Sequence, residues 1–362
     1  MLYKGAKMSD YALSLIEKLA KTHSLSVDEY EHLLDNQNDY IQQIISKKAC
    51  RFKESVYGNK IFIRGLIEIS NICKNNCLYC GIRCDNSLTT RYRLTKDEII
   101  HCCEKGYKLG FRTFVLQGGE DMFFTDEILC DIISSIKQKF SDCAITLSLG
   151  ERSYTSYSAL YNAGADRYLL RHETADENHY NLLHNFTMDF DNRISCLYNL
   201  KKIGYQTGCG FMVGSPFQTN KILAKDLKFI EEFSPDMCGI GPFVPHKDTP
   251  FAQKRAGEVK KTTYLLSIIR LIKPNILLPS TTALATIDKH GHKKAILSGA
   301  NVIMPNLSPD FAKQNYQLYN NKKHNDNEDA ENIKHLLKEV EEIGSIISFE
   351  RGDIINTHEV NQ

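Results

Sequence analysis

The sequence has no run of about 18 uninterrupted apolar residues, the length that a membrane-spanning helix needs. Its N-terminal stretch, MLYKGAKMSDYALSLIEKL, lacks the apolar core and small-residue cleavage site of a secretory signal peptide. An excess of one charge is also missing, because the formal net charge is only +1. Nothing in this balance indicates a nucleic-acid or membrane-surface partner. We therefore predict a cytoplasmic protein whose partners include no membrane and no nucleic acid.

Twelve cysteines are many for such a protein, and a secreted disulfide framework is one explanation for them. Two features argue against a disulfide framework. The sequence lacks a signal peptide, and 362 residues are enough to form a stable hydrophobic core without disulfide bonds. Several cysteines stand singly in apolar or helical contexts, where we expect small buried side chains: Cys50, Cys102, Cys103, Cys130, Cys143, Cys196, Cys209 and Cys238. The exception is a dense group between residues 73 and 84, which fits metal chemistry in a reducing cell.

Hydrophobic periodicity divides the chain into a helical part and a part where strands alternate with helices. Residues 1–57 carry apolar side chains at helical spacing, and short apolar strands begin at about residue 60. The predicted strands cover residues 61–70, 113–118, 144–149, 167–172, 208–213, 237–243, 276–280 and 301–304. The clearest helices between them cover residues 95–108, 126–140, 153–162, 192–203, 224–233 and 262–272.

These strand–helix units predict an α/β fold of the closed (β/α)8 TIM-barrel type, with an open doubly wound sheet as the rival. We expect an N-terminal helical segment at 1–57, the barrel at 58–306, and an extension at 307–362 that closes the barrel. Within the extension, residues 322–332 predict a solvated polar loop and residues 333–343 a surface helix. In either fold the functional site lies at the carboxyl ends of the strands.

The dense cysteine group, SNICKNNCLYCG, directly follows the first predicted strand. Its C-x3-C-x2-C spacing places the thiolates of Cys73, Cys77 and Cys80 on one loop. A [4Fe–4S] cluster takes four ligands, so three cysteines leave one iron open. The amino and carboxylate groups of S-adenosylmethionine (SAM) can chelate that iron, and an electron passed into the sulfonium then breaks a carbon–sulfur bond. The pattern therefore predicts a radical SAM enzyme.

Two other metal sites fit this segment if Cys84 supplies a fourth ligand. One is a four-cysteine zinc site, and the other is a ferredoxin-like cluster, although the usual ferredoxin spacing differs. A chance arrangement is the third alternative. The spacing, the aromatic residue before Cys80 and the position at a strand end favour the radical SAM interpretation. We expect Cys84 to be a thiol near the cluster that does not bind it.

Polar residues follow at the ends of the next predicted strands. Gln117-Gly118-Gly119-Glu120 ends the second strand, where two glycines let the backbone approach a ligand and the glutamate can accept from an ammonium group. Ser148 ends the third strand, Arg171 and Glu173 end the fourth, and Arg193 opens the following helix. A carboxylate suits ribose hydroxyls, and an arginine suits the carboxylate of methionine. A buried salt-bridge network at the barrel rim explains the same charged residues equally well.

Taken together, several segments carry a resemblance to a known family. They are CKNNCLYCGIRCDN, GFRTFVLQGGED, LSLGE, GADRYLLRHETA, NRISCLYNLKKIGYQTG, DMCGIGPFVPHKDTP, PSTTA and GANVIMPN, which run from residue 73 to about residue 306. The sequence resembles the HydE family of radical SAM maturases, which help to build the organometallic cluster of [FeFe] hydrogenase. Biotin synthase and methylornithine synthase are similar to a smaller degree.

The resemblance implies a complete barrel with a closed internal cavity and with SAM and the cluster at its top. It also implies that a 5′-deoxyadenosyl radical attacks the sulfur of a cysteine-bound iron carbonyl cyanide species, delivered by the maturase HydG. The product would be a precursor of the di-iron subcluster, passed on to HydF, and a ferredoxin or flavodoxin would be the reductant. Two alternatives stay open: a mutase or sulfur-transfer enzyme acting on a small organic substrate, and a metal scaffold without enzyme activity.

The family pattern also implies roles for individual residues. Cys73, Cys77 and Cys80 would hold the cluster. SAM would contact Ser148, Glu173 and Arg193, with Tyr79 and Met237 near the adenine. The cavity would be lined by Arg64, Gln117, Thr146, Arg171, Thr281, Thr282, Met304, Tyr316 and Tyr319. Hydroxyls and arginines inside a barrel suit an anionic iron complex, although ordinary strand packing explains the threonines and packing of the extension explains the tyrosines.

One departure from the family concerns a second iron–sulfur cluster, which some members bind through cysteines after the last strand. Here no cysteine follows Cys238, and the corresponding stretch at 320–335 is rich in asparagine, lysine and histidine. We therefore predict a single [4Fe–4S] cluster.

Overall fold

The fold is taken from a computed structural model, which describes residues 2–322 and 333–355. Its helices are α1 Leu2–Thr22, α2 Val27–Asp35, α3 Asp39–Tyr57, α4 Lys96–Lys108, α5 Asp126–Lys139, α6 Tyr154–Asn162, α7 Glu177–Leu183, α8 Phe190–Ile203, α9 Asn220–Phe233, α10 Val259–Ile272, α11 Thr282–Ile287, α12 Gly291–Ile296, α13 Asp310–Asn315 and α14 Ile333–Glu341. Its strands are β1 Lys60–Ile63, β2 Gly65–Ser70, β3 Thr113–Gly118, β4 Ala144–Ser148, β5 Arg167–Leu169, β6 Gln206–Cys209, β7 Met212–Val213, β8 Met237–Cys238, β9 Gly241–Pro242, β10 Val302–Ile303 and β11 Ile346–Ser348.

The parallel strands form a ring. Six of them lie side by side in the order β2-β3-β4-β5-β6-β8. Beyond β8, Met237 pairs with Leu277, and Pro279 pairs with Val302 in β10. Strand β10 pairs with β1, which continues into β2, and a bridge from Leu66 to Asn306 completes the circuit. The ring therefore closes through eight positions, which confirms the predicted barrel type and excludes the open sheet.

Several predicted strands are shorter than expected. The segment predicted at 276–280 pairs only at Leu277 and Pro279, because a proline has no N–H to donate to the ladder. The strand predicted at 208–213 is interrupted after Cys209, since the N–H of Gly210 donates to Nδ1 of His172 at 3.3 Å. Helix α7 and strand β11 were not predicted, whereas the surface helix predicted at 333–343 is confirmed as α14.

The three N-terminal helices pack against the outer helices of the barrel. Helix α2 begins with a capping box in which Ser26 accepts from the N–H of Glu29 and the Glu29 carboxylate accepts from the N–H of Ser26. The hydroxyl of Tyr30 donates to Glu231 on α9 at 2.9 Å, and Tyr264 on α10 donates to the carbonyl of Leu33 at 3.1 Å. One hydrophobic core therefore runs from these helices to the outer face of the barrel.

The two faces of the barrel strands differ in chemistry. Residues two apart on a strand share a face. Ile67, Ile69, Leu116 and Leu147 belong to the hydrophobic core between strands and helices. The alternating positions, which face the barrel interior, carry polar side chains instead, including Glu68, Gln117, Thr146 and Ser148. The barrel interior is therefore built to receive a polar ligand.

The C-terminal tail lies across the amino-terminal end of the barrel. Strand β11 pairs in parallel with β1. Asp353 forms an ion pair with Arg167 at 2.5 Å, and the carbonyl of Gly352 accepts from Arg64 at 3.2 Å. Access to the interior from this end is thus blocked by the tail. No helix in the described ranges is long and apolar enough to cross a bilayer, and all twelve cysteines, which lie within those ranges, are free thiols.

Candidate active site

The three predicted cluster cysteines lie on a loop that leaves the carboxyl end of β2. The guanidinium of Arg91 organises this loop from within by donating to four backbone carbonyls, those of Asn71, Ile82, Arg83 and Asn86, at 2.6 to 3.0 Å. Arg91 was not predicted as a site residue, because its partners are backbone atoms and no pattern of side chains in the sequence indicates them.

The cysteine sulfurs have different surroundings. Cys73 Sγ accepts from the N–H of Glu120 at 3.4 Å, and Cys77 Sγ contacts the sulfur of Met188 at 3.6 Å. The N–H of Cys80 donates to the carbonyl of Cys77 at 3.3 Å. Cys84, in contrast, is exposed, and its thiol lies 3.8 Å from the carboxylate of Asp85.

The electrostatics of the three thiols fit a cationic cluster. Burial raises the pKa of Cys73, Cys77 and Cys80, to about 12 for Cys80. The neighbouring thiols raise the pKa of Cys77 and Cys80 further, because adjacent thiolates repel one another. A cationic iron–sulfur core supplies the positive charge that buried thiolates need, so the donor set fits a [4Fe–4S] cluster.

The glycine pair at the end of β3 lies directly against this loop. A Cβ atom on Gly119 would come within 2.3 Å of the carbonyl oxygen of Ile72 and 2.8 Å of the Cβ of Cys73. Gly118 pairs in register with Ser70 at the end of β2. Since no side chain fits at Gly119, the backbone after β3 can approach the cysteine loop closely. The predicted approach of these glycines to a ligand stays a prediction.

Next to Gly119, Glu120 forms part of a buried charge group. Its carboxylate lies 3.3 Å from Lys74 Nζ and 3.7 Å from Arg193, and Arg193 Nε lies 2.6 Å from Glu151. Burial alone would lower the pKa of Arg193, but the charges of Glu151 and Glu120 raise it above its usual value. Burial raises the pKa of Glu151. Glu151 was not predicted as a site residue, although it is the last residue of the LSLGE segment.

The charged side chains at this site can still form hydrogen bonds with a ligand. Glu120 Oε2, Arg193 Nε, Arg171 Nε and Glu173 Oε2 are buried and make no aligned hydrogen bond, although some of them lie in ion pairs. Carboxylate and guanidinium atoms that lack a hydrogen-bond partner, placed beside the cysteine loop, suit the ammonium, carboxylate and ribose groups of SAM. Ser148 is the last residue of β4 and the register partner of Gln117.

Arg171 and Glu173 meet as an ion pair at 3.0 Å, beyond the end of β5. Glu173 has a left-handed backbone with φ of 65°, which costs roughly 1 kcal/mol for a residue with a Cβ. Both residues were predicted to end the fourth strand, but β5 ends at Leu169, so strand alternation does not explain the pairing. Strained backbone at a buried carboxylate is typical of functional sites.

The residues predicted near the adenine lie apart. The hydroxyl of Tyr79 donates to His184 Nε2 at 3.2 Å, because His184 Nδ1 donates to the carbonyl of Tyr180. Tyr79 also belongs to a cluster with Met212, Phe243 and Phe251. Met237 belongs to a different cluster, and its sulfur accepts from Arg64 at 3.0 Å, deeper in the barrel. The methionine near Tyr79 is thus Met212, which the sequence analysis missed, and the role of Met237 at the adenine stays a prediction without a supporting contact.

Unpartnered donors mark the barrel interior below the cysteine loop. Arg64 Nε, Thr146 Oγ1 and Thr281 Oγ1 are buried and have no hydrogen-bond partner. Burial lowers the pKa of Arg64 well below its usual value. Thr282 is the first residue of α11, and Met304 packs at the edge of the Met237 cluster. Buried donors without acceptors fit an anionic substrate.

A segment of the extension, residues 315–322, crosses the mouth of the barrel, and we call it the strap. On one side the carbonyl of Leu318 accepts from the N–H of Gly81 in the cysteine loop at 2.8 Å. On the other side the N–H of Asn320 donates to the carbonyl of Pro245 at 3.0 Å. Tyr319 also lies within it. The strap therefore joins the cysteine loop to the loop after β9.

The strap is anchored inside the barrel. The hydroxyl of Tyr316 accepts from Gln117 at 3.4 Å, so two of the residues predicted to line the cavity are in contact. Lys322 forms a buried ion pair with Glu68 and donates to the carbonyl of Tyr316 at 2.9 Å. Glu68 and Lys322 were not predicted, although an acidic residue within the apolar run of β2 was a usable signal. The remainder of the polar loop predicted at 322–332 lies outside the described residues.

Residues 67–230 match the model of the radical SAM superfamily. The [FeFe] hydrogenase maturase subunit HydE of Thermotoga maritima is 40% identical over 330 residues, covering 91% of this chain and 94% of that protein. The chain belongs to the HydE family. Membership makes it a radical SAM enzyme, and the superfamily uses SAM and a [4Fe–4S] cluster.

Other relatives of this HydE-family chain are more distant. The 3-methylornithine synthase of Methanosarcina acetivorans is 26% identical over 330 residues, covering 91% of this chain and 92% of that protein. Among solved structures, methylornithine synthase aligns with a TM-score of 0.81 at 24% identity, over 92% of this chain and 97% of that chain. The hydrogenase maturase HydG aligns with a TM-score of 0.79 at 22% identity, over 96% of this chain and 78% of that chain. Both structures share the barrel fold.

Proposed function

We propose that this protein acts in the maturation of [FeFe] hydrogenase, on a cysteine-bound iron carbonyl cyanide species from which it makes the precursor of the di-iron subcluster. The observation that carries the proposal is the identity of 40% with HydE across 91% of the chain. The polar barrel interior beneath the cysteine loop supports it, since an iron carbonyl cyanide complex is anionic and needs hydrogen-bond donors.

Cys73, Cys77 and Cys80 hold the [4Fe–4S] cluster in this proposal. When bound, the cluster and SAM supply reductive cleavage of a carbon–sulfur bond, which yields the 5′-deoxyadenosyl group as a radical. The residues of this chain bind and orient. Glu120, Arg193, Ser148 and Glu173 would contact SAM, with the backbone of Gly118 and Gly119 beneath its methionine end and Tyr79 and Met237 assigned to the adenine.

The substrate would occupy the interior between the cysteine loop and the tail. Arg64, Thr146, Arg171 and Thr281 have buried polar atoms without hydrogen-bond partners and would donate to the cyanide and carboxylate groups. Gln117, Thr282, Met304, Tyr316 and Tyr319 would complete the walls. Because the tail blocks one end and the strap crosses the other, bulk water is kept from the reacting atoms.

The wider assignments are part of the same proposal. We infer one cluster per chain, because no cysteine follows Cys238, and we infer that Cys84 is not a ligand, because it is exposed and faces Asp85. HydG as donor, HydF as acceptor and a ferredoxin or flavodoxin as reductant are the proposed partners, in the cytoplasm. The division into segments 1–57, 58–306 and 307–362 is retained as a proposal.

A second candidate is a mutase or sulfur-transfer reaction on a small organic substrate. The similarity to 3-methylornithine synthase over 91% of the chain favours it, although the identity is lower at 26%. Both functions share the SAM site and differ only in what the barrel interior binds.

The test is an anaerobic reconstitution with iron, sulfide, dithionite and SAM. We expect 5′-deoxyadenosine to form in the absence of substrate. The release of methionine should accelerate when a cysteine-bound iron carbonyl cyanide complex is added, because the 5′-deoxyadenosyl group is then transferred to the sulfur of that complex. Absence of 5′-deoxyadenosine under all conditions would reject the enzymatic function. Acceleration by an amino acid, with none by the iron complex, would favour the second candidate.

A further inference from the structure

His172 lies between Arg171 and Glu173 in the chain, but its side chain points away from the charge group. It is fully buried, and its ring packs against Phe229 on α9 with centroids 4.6 Å apart and against Phe211 at 5.9 Å. Its Nδ1 accepts from the N–H of Gly210 at 3.3 Å. The ring proton of neutral His172 is therefore on Nε2. Burial lowers the pKa of His172 to about 3, so the neutral form is the folded one.

The Nε2 atom of His172 faces a second buried residue, Asp226 of α9. The distance between Nε2 and the Asp226 carboxylate is 3.6 Å. Asp226 is fully buried and also accepts from the N–H of Ala175 at 2.5 Å. The segment from Arg171 to Ala175 is thus attached to the protein interior on both sides of Glu173, through His172 before it and through Ala175 after it.

The backbone of Glu173 itself is held to the neighbouring strand. Its N–H donates to the carbonyl of Gly210 at 3.0 Å, and its carbonyl accepts from the N–H of Met212 at 3.3 Å. His172 fixes the same Gly210 from the other side. A residue with a side chain keeps a left-handed backbone only where the surrounding contacts hold it there. At Glu173, where φ is 65°, these contacts are its backbone hydrogen bonds to Gly210 and Met212 and the hydrogen bond from Gly210 to His172.

We propose that His172 and Asp226 are positioning residues, which hold the backbone of Glu173 in its left-handed conformation and thereby aim the Glu173 carboxylate at SAM. The inference rests on the proposed role of Glu173 in SAM binding. Neither His172 nor Asp226 touches the cofactor site, so their effect reaches SAM only through the conformation of residues 171–175.

The test compares two variants of His172. His172→Phe keeps a buried ring but removes the acceptor for Gly210, whereas in His172→Asn the side-chain oxygen takes the place of Nδ1. We expect the dissociation constant of SAM, measured by equilibrium dialysis on cluster-loaded protein, to rise about tenfold in His172→Phe and to recover in part in His172→Asn. The KM for SAM should rise more than kcat falls, and amide exchange at 171–175 should accelerate in the protein without cofactors.

A matched control separates positioning from general core damage. Phe229→Leu loosens the packing around the same ring without removing a polar contact. Equal weakening of SAM binding in Phe229→Leu and His172→Phe at equal loss of stability would overturn the proposal, as would unchanged exchange at 171–175. If His172→Phe does not fold, His172→Leu removes the acceptor for Gly210 with a smaller apolar side chain and takes its place in the comparison. A parent protein that fails to bind SAM would reject the role of Glu173 instead, while the exchange comparison would still decide whether His172 holds this segment.

Discussion

Gly150 offers a sharp test of the role of Glu120. An alanine Cβ at this position would lie 1.9 Å from Cγ and 2.3 Å from Oε1 of Glu120, so the carboxylate would have to move by about 1.5 Å to reach ordinary contact distance. Such a movement breaks its approach to Arg193 at 3.7 Å and to Lys74 at 3.3 Å. The displaced carboxylate would also lose its proposed hydrogen bond to the ammonium group of SAM, and losing a hydrogen bond to a charged group costs about 1.5 to 3 kcal/mol. We therefore expect Gly150→Ala to bind SAM about 10- to 100-fold more weakly than the parent protein.

Gly58 provides the control for this substitution. Both glycines have a positive φ, 77° at Gly150 and 62° at Gly58, but no atom lies within 4 Å of a Cβ at Gly58. Both alanine variants should lose stability from backbone strain, and only Gly150→Ala should lose SAM affinity. The assay is equilibrium dialysis of labelled SAM against cluster-loaded protein, with urea unfolding for stability. SAM binding by Gly150→Ala within twofold of the parent would refute the role of Glu120.

Three further predictions concern the cluster, the pH dependence of stability and the strap. Cys77→Ala should abolish SAM cleavage and the cluster absorption, whereas Cys84→Ala should keep both, and residual cleavage in the first variant would contradict the ligand assignment. Burial lowers the pKa of His184 to about 3, so the unfolded chain takes up a proton as the pH falls below 6.5 while the folded chain does not. The free energy of unfolding should therefore fall by about 2 kcal/mol less in His184→Phe than in the parent between about pH 7 and pH 5, measured by urea unfolding. Lys322→Met should destabilise the protein by about 3 kcal/mol, because the buried Glu68 loses its cation, and a loss below 1 kcal/mol would show that this ion pair does not anchor the strap.

Much of the fold follows from local patterns. Alternating strands and helices predict the eight positions of the barrel, because buried parallel strands are apolar runs and the helices between them are amphipathic. Capping residues such as Ser26, which caps the start of α2, are equally local signals. The break after Cys209 is not local, since it depends on a hydrogen bond from Gly210 to His172, a residue far away in the chain.

The candidate site was predictable to a similar extent. The spacing of the three cysteines and the glycines before Glu120 are visible in the sequence because the chemistry needs them close together in the chain. The ion pair between Glu68 and Lys322 is not visible, since the two residues are 254 positions apart. The separation of Met237 from Tyr79 likewise depends on how deep in the barrel each residue lies, which periodicity does not report.

The central claim is tested most directly by mass spectrometry of the products formed by the reduced protein with SAM and a cysteine-bound iron carbonyl cyanide complex. The account predicts a new product in which the 5′-deoxyadenosyl group is attached to the sulfur of that cysteine, formed in step with methionine. Cleavage of SAM to 5′-deoxyadenosine with the iron complex recovered unchanged would contradict it.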